Sequence, residues 1–346
     1  MKKKLAFFLA LSLVLSALAG CAGTTVVLGG CTCPTEGPAP TTPPAEGAVK
    51  TGLAIVTGIS GSKNAECADY DVTLVAVTLD DKGVIDSCVI DSIGTKIAFD
   101  ATGTITTALD SEIKTKNELG DAYGMKEYAG SKYEWYEQAA ALASYAKGKT
   151  VAELKSGAID ESGKAPAGSD LASTATIYLG GYVAAIEKAA ANAKHLGAQA
   201  GDELRLASIS SIASSASATA DKAGNAQLDC DVTAVTVKDG VITSCYIDSL
   251  QAKVAFDATG TITTDLTAGV KSKNELGADY GMKAWGGAKY EWNEQAASFA
   301  NYVTGKTADQ VAGIAMSEGK PADADLLASV TISIGGFKAL IAKVMA

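Results

Sequence analysis

Two hydrophobic periods succeed one another along this chain, and the succession occurs twice. Val75, Val77 and Leu79 recur at every second position, Asp81-Lys82-Gly83 interrupts them, and apolar residues resume from Val84 to Ile90. Alternation on both sides of a turn predicts an antiparallel hairpin, because successive strand side chains point to opposite faces. Ile97 and Phe99 predict a further strand, which Ala101-Thr102-Gly103 turns into Thr104–Thr107. The period then lengthens. Trp135, Ala139, Leu142 and Ala146 share one helical face, with Gly148 as the stop, and Trp292, Ala296, Phe299 and Val303 repeat it before Gly305. Thr150-x-x-Glu153 and Thr307-x-x-Gln310 read as capping boxes that open a second helix. Tyr182, Ile186 and Ala193 predict a final helix, matched by Phe337, Ile341 and Val344. Strands first and helices afterwards predict an α+β fold, an antiparallel sheet packed with C-terminal helices, in two tandem copies.

The duplication is explicit in the residues. Ala98–Thr107 recurs unchanged at Ala255–Thr264, Lys116–Gly120 at Lys273–Gly277, Tyr123–Lys126 at Tyr280–Lys283, and Tyr133-Glu134-Trp135 at Tyr290-Glu291-Trp292. All share one offset of 157 residues, so the copies are in register. They are placed at 50–196 and 202–346, joined by a hinge near Gly197 to Gly201.

Ahead of the copies, Lys2 to Lys4 precede an apolar stretch from Leu5 to Leu18, and Leu18-Ala19-Gly20 leads directly into Cys21. That stretch is too short for a spanning helix and reads as a cleaved export signal over residues 1–21. Its end resembles the bacterial lipobox, which implies lipidation of Cys21 and attachment to the extracytoplasmic face of the cell membrane by acyl chains. Residues 22–48, rich in Pro and Thr, read as a linker with too little apolar surface for a core.

Charge and cysteine content narrow the chemistry. The formal net charge is −10 and Arg205 is the only arginine, which argues against nucleic acid as a partner and against electrostatic adsorption to anionic lipid. Seven cysteines and a single histidine, His195, show no paired spacing of a zinc or haem site. Cys230 and Cys245 flank Lys238-Asp239-Gly240 and are expected nearly opposite each other on a hairpin; Cys67 and Cys88 fit that geometry less well.

The junction before each final helix is the most informative segment. It reads Asp170-Leu171-Ala172-Ser173-Thr174-Ala175-Thr176-Ile177-Tyr178 in the first copy and Asp325-Leu326-Leu327-Ala328-Ser329-Val330-Thr331-Ile332-Ser333 in the second. It resembles the FMN-binding domain family of periplasmic and surface subunits in Rnf- and Nqr-type electron-transfer systems. In that family a flavin transferase joins FMN, through its phosphate, to the threonine of Asp-x-x-Ser/Thr-Gly-Ala-Thr-x-Ser/Thr. The resemblance implies covalent FMN at Thr176 and Thr331. Asp170, Asp325, Ser173, Ala175 and Ser333 are the other matching positions. Both copies carry a side chain, Thr174 or Ser329, where the family has glycine, and a required positive φ there would be strained. The second copy departs further, with Ala328 where the family has Ser/Thr and Val330 where it has alanine.

Residue chemistry alone offers two readings of this junction. A threonine at a helix start would place an attached phosphate beside unpaired N–H groups and the positive end of the helix dipole, with Ala175 leaving room for it. Asp, Ser and Thr also precede helices simply because they cap them. Tyr123, Tyr133 and Trp135, with Tyr280, Tyr290 and Trp292, are candidates to stack on a flat ring, and the 117–120 and 274–277 loops to donate backbone N–H groups. Core packing is the competing role for Trp135, Trp292, Met125 and Met282. Glu134 and Glu137 could form an acid–base pair or be solvated.

The expected function is a lipid-anchored carrier relaying electrons outside the membrane, with a flavin transferase and a membrane redox donor as partners. The alternatives are a flavin-free surface binding or structural lipoprotein retaining the fold, and a solute-binding lipoprotein. No nucleophile–base pair or phosphate-binding glycine loop points to a self-contained enzyme.

Overall fold

The computed structural model describes residues 47–346. The first copy opens with three antiparallel strands, β1 (Lys50–Gly58), β2 (Cys67–Leu79) and β3 (Ile85–Ala98). Six helices follow: α1 (Lys116–Leu119), α2 (Met125–Ala129), α3 (Trp135–Ala146), α4 (Val151–Ala158), α5 (Asp170–Thr174) and α6 (Gly180–Ala191). The second copy repeats the order with β4 (Glu203–Ser211), β5 (Gly224–Lys238), β6 (Val241–Phe256), α7 (Lys273–Leu276), α8 (Trp292–Val303) and α9 (Ala308–Ala312). A small hairpin, β7 (Met316–Ser317) and β8 (Lys320–Pro321), leads to α10 (Ala324–Ser329) and α11 (Gly335–Met345). The fold is α+β, with antiparallel sheets and C-terminal helices. Among the described residues no helix is long and apolar enough to cross a membrane.

The sheets serve two cores, which explains why burial is nearly continuous along the central strands β2 and β5. Ala54, Val75, Val77 and Ile90 face outward beneath α3, α4 and α6, packing on Trp135, Leu142, Leu154 and Ile186. The intervening residues Leu53, Ile55, Val72, Leu74 and Ile93 face inward, against Leu228, Val232, Leu250 and Val254 of the second copy. Helices, sheet, sheet and helices therefore stack in four layers, and each sheet's inner face is covered by the other copy. Phe99 and Phe256, equivalent residues, stack ring on ring with centroids 4.0 Å apart. Both copies belong to one compact unit.

Reciprocal bonds fix the two copies together. The N–H of Ala65 donates to the Gly260 carbonyl at 2.7 Å, and that of Ala218 to the Gly103 carbonyl at 2.8 Å. Lys188 of α6 donates to the carbonyl of Ile55 at 2.7 Å and pairs with Glu275 of the second copy at 2.8 Å. Lys343 of α11 does the same with Ser208 and with Glu118 of the first copy. The 197–201 connection is pinned as well, with Ala198 buried and its carbonyl accepting from the Val49 N–H at 3.0 Å.

Several expectations are corrected here. Ile97 ends β3 rather than beginning another strand, and Thr104–Thr107 contributes only a bridge, Phe99 to Ile105. Ala193 lies beyond α6. Cys230 and Cys245 are not opposite each other: they face Leu250 and Val235. The two-residue turn Asp239-Gly240, both with positive φ, sets that register. Cys67, Cys88, Cys230 and Cys245 are free thiols.

Candidate functional site

The threonine junctions are held by one buried side chain in each copy. Glu134 caps α3, and its carboxylate also accepts the N–H groups of Met125 and Lys126 at 2.8 and 3.0 Å, tying α2 to the start of α3. One turn on, Gln138 is fully buried. Its Oε1 accepts the Thr176 N–H at 2.7 Å, the Thr176 hydroxyl at 3.2 Å and the Ile177 N–H at 3.1 Å, while its Nε2 donates to the Tyr133 carbonyl at 3.0 Å. Gln295 repeats the clamp, accepting from Thr331 N–H at 2.8 Å, its hydroxyl at 3.1 Å and Ile332 N–H at 3.2 Å. The two threonines therefore occupy equivalent, externally supported positions.

This geometry revises the expected one. Thr176 is not at a helix start: it follows α5, whose C-cap is Ala175, and precedes α6, which begins at Gly180. Its N–H serves Gln138. Ala175 is buried in the outer core and makes no room beside the threonine. Asp170 and Asp325 lie exposed in the first turns of α5 and α10, and Ser173 donates back to the Asp170 carbonyl at 2.6 Å. Thr174 and Ser329 end those helices without positive φ, so a Cβ is tolerated where the family pattern has glycine.

Beside each junction lies an aromatic groove. The first, about 670 Å³, is walled by Tyr123, Trp135, Ile177, Tyr178 and Tyr182, with Lys116 and Met125. The second, about 400 Å³, is walled by Lys273, Tyr280, Met282, Trp292, Ile332, Ser333 and Phe337. Both volumes fall within the roughly 300–1,000 Å³ of small-molecule and cofactor sites. Trp135 is both a core residue and a wall, and its Nε1 donates to the Tyr182 hydroxyl at 3.0 Å. Burial raises the pKa of Tyr182, which keeps that hydroxyl neutral. Tyr133 does not line the groove.

A cation enters each groove from a repeated capping box. Thr115 caps α1 with Glu118, and Asn117 anchors that turn to Asp91 and to the Ile90 carbonyl. Lys116 is thereby held 5.1 Å from the ring centroids of both Tyr123 and Trp135, and Lys273 stands 5.1 and 4.9 Å from Tyr280 and Trp292. The N–H groups of residues 117–120 are engaged by Asp91 and by the turn itself, so they do not point to a ligand. Glu134 and Glu137 form no acid–base pair: Glu134 is a cap, and Glu137 bonds Lys126 at 2.7 Å. Asp91 and its equivalent Asp248 have pKa values raised by burial, Asp248 to about 6.

Gln138, Gln295, Lys116, Lys273 and Tyr182 are the site residues that sequence reasoning missed. The signal was available, since Glu137-Gln138-Ala139-Ala140 recurs at 294–297. Cys21, Cys31 and Cys33, the expected export signal and nearly all of the expected linker lie outside the described residues.

No protein family and no solved structure matches the chain. One stretch of 42 residues, 12% of the chain, is 57% identical to a chlorophenol reductase from Desulfitobacterium hafniense, of which it covers 13%. So short a match carries no argument about the activity of the whole chain.

Proposed function

We propose that this chain is an exported, lipid-anchored protein whose two copies each carry FMN, joined through phosphate to Thr176 and Thr331, and relay electrons outside the membrane. The observation that carries the reading is the recurrence, in both copies, of a clamped threonine loop whose next residue, Ile177 or Ile332, walls an aromatic groove of cofactor size. The lipobox-like Leu18-Ala19-Gly20-Cys21 supports the anchor, placing the copies at the extracytoplasmic face.

The residues present fit such a group. Trp135 and Tyr182, or Trp292 and Phe337, offer flat apolar surface to a ring. Lys116 and Lys273 supply a positive charge that would balance phosphate or negative charge gained on reduction. Gln138 and Gln295 hold the attachment loops without depending on the hydroxyl, because each retains two backbone N–H donors after esterification. Bound FMN supplies reversible one- and two-electron transfer, and the protein tunes its surroundings.

The test is co-expression of the exported chain with a flavin transferase, followed by absorbance and intact mass. A yellow protein carrying two adducts, reduced to one by Thr176→Ala or Thr331→Ala, is the expected result. A colourless chain of unmodified mass, under conditions that label a control domain, would remove the carrier reading and leave the flavin-free surface protein.

A further inference from the structure

Two large aromatic side chains stand almost wholly in solvent, and they hold the same position in each copy. Tyr128 is 80% exposed and Trp285 is 88% exposed, 157 residues apart. One exposed aromatic needs no explanation, but the same exposure in both copies does: Tyr128 lines the first groove, and Trp285 lies against Gly281, between the second groove's Tyr280 and Met282. Neither ring hangs free. Gly124, at φ +79°, has no Cβ to occupy a point 2.4 Å from Cδ2 of Tyr128, and Gly281, at φ +81°, has none 2.0 Å from Cδ1 of Trp285. Each ring thus lies against a glycine whose positive φ disfavours a side chain.

Another lining residue of the first groove repeats the device. Tyr178 is 59% exposed, and its ring covers Gly163, where a Cβ would lie 2.2 Å from its Cε2. In the second copy Ser333 stands in its place. Tyr128 and Tyr178 both border the first groove, together with Tyr123, Trp135 and Tyr182.

We infer that Tyr128 and Tyr178 clasp a planar heteroaromatic ring in the first groove, and that Trp285 alone covers the ring in the second. This rests on the FMN reading and extends it: the flavin of the first copy is sheltered between two phenol rings, and that of the second is open on the Ser333 side. The copies are therefore unequal in their access to an outside redox partner.

The experiment uses flavinylated chain in two forms, Thr331→Ala, with flavin on the first copy only, and Thr176→Ala, with flavin on the second only. Flavin load is confirmed by intact mass, and flavin emission and its quenching by iodide are recorded. Stacked electron-rich rings quench flavin emission and shield it from iodide, so Tyr128→Ala and Tyr178→Ala each raise emission and its quenching by iodide in the first form, while Tyr128→Trp, which keeps an electron-rich ring, leaves emission low. Trp285→Ala raises it in the second form, whose parent is already more accessible to iodide. These side chains stand outside the cores, so the variants fold. Full flavin load with emission unchanged by Tyr128→Ala and Tyr178→Ala overturns the clasp and spares the FMN reading. Unmodified mass in both forms removes the FMN reading and the clasp with it.

Discussion

Replacing Gln138 by methionine, close to it in shape, deletes the acceptor on which the first threonine loop hangs. Three donors lose their partner: Thr176 N–H, Thr176 Oγ and Ile177 N–H. Leaving a buried donor unpaired costs about 1–3 kcal/mol. The hydroxyl reaches solvent freely because Thr176 is exposed, so the two N–H groups carry the loss. Two such groups with partial relaxation give about 2–4 kcal/mol. At 1.4 kcal/mol per factor of ten, the amides of Thr176 and Ile177 exchange with solvent roughly 30- to 700-fold faster. If the loss is global, Tm falls by roughly 4–8 °C, taking about 2 °C per kcal/mol for a large unit. Hydrogen exchange followed at peptide level, with thermal unfolding alongside, reads both. Gln295→Met is the internal replicate, with the loss confined to Thr331 and Ile332. Unchanged protection at 176–177 in Gln138→Met would refute the clamp, whatever the Tm.

The shared inner core makes the copies unfold together. Phe99→Ala removes one member of the inter-copy stack and is expected to cost about 3–5 kcal/mol, in a single denaturant transition reported alike by probes in both copies; two separate transitions would show independent domains. Asp248, with its pKa raised to about 6 by burial, stabilises the fold as the protonated acid. Its contribution is complete below about pH 4 and is lost as pH rises through about 6, on the order of 2–3 kcal/mol. Asp248→Asn flattens the stability profile between pH 4 and 6, and an unchanged slope would assign the effect elsewhere. Burial holds the thiols of Cys230 and Cys245 near a pKa of about 12, so neither reacts with iodoacetamide at pH 8 until the chain is denatured; prompt native alkylation would contradict their burial.

The helices were legible where one face alone is buried: Trp135, Ala139, Leu142 and Ala146 fix α3 from spacing alone. β1 escaped because Gly52-Leu53-Ala54-Ile55 is apolar at every position. A continuous run carries no period, and here the reason is that each face of the strand meets a different core. The same double burial hid the packing of one copy on the other, which alternation in a single strand cannot reveal. At the candidate site, Thr176 stood out by its resemblance to a family motif and Tyr123 by residue type. The role of Gln138 did not, because a polar residue on an apolar helical face finds its partner only after the loop 38 residues later has folded back. The expected helix-start position of Thr176 failed because Asp170 opens a short helix of its own, and Gly180 opens the next.

Attachment of FMN to the two threonines can be read by mass-spectrometric peptide mapping of protein taken from its native host. Two proteolytic peptides are expected, one containing Thr176 and one containing Thr331, each heavier by FMN less one water and each releasing flavin on fragmentation. Finding both peptides only in unmodified form would contradict the attachment.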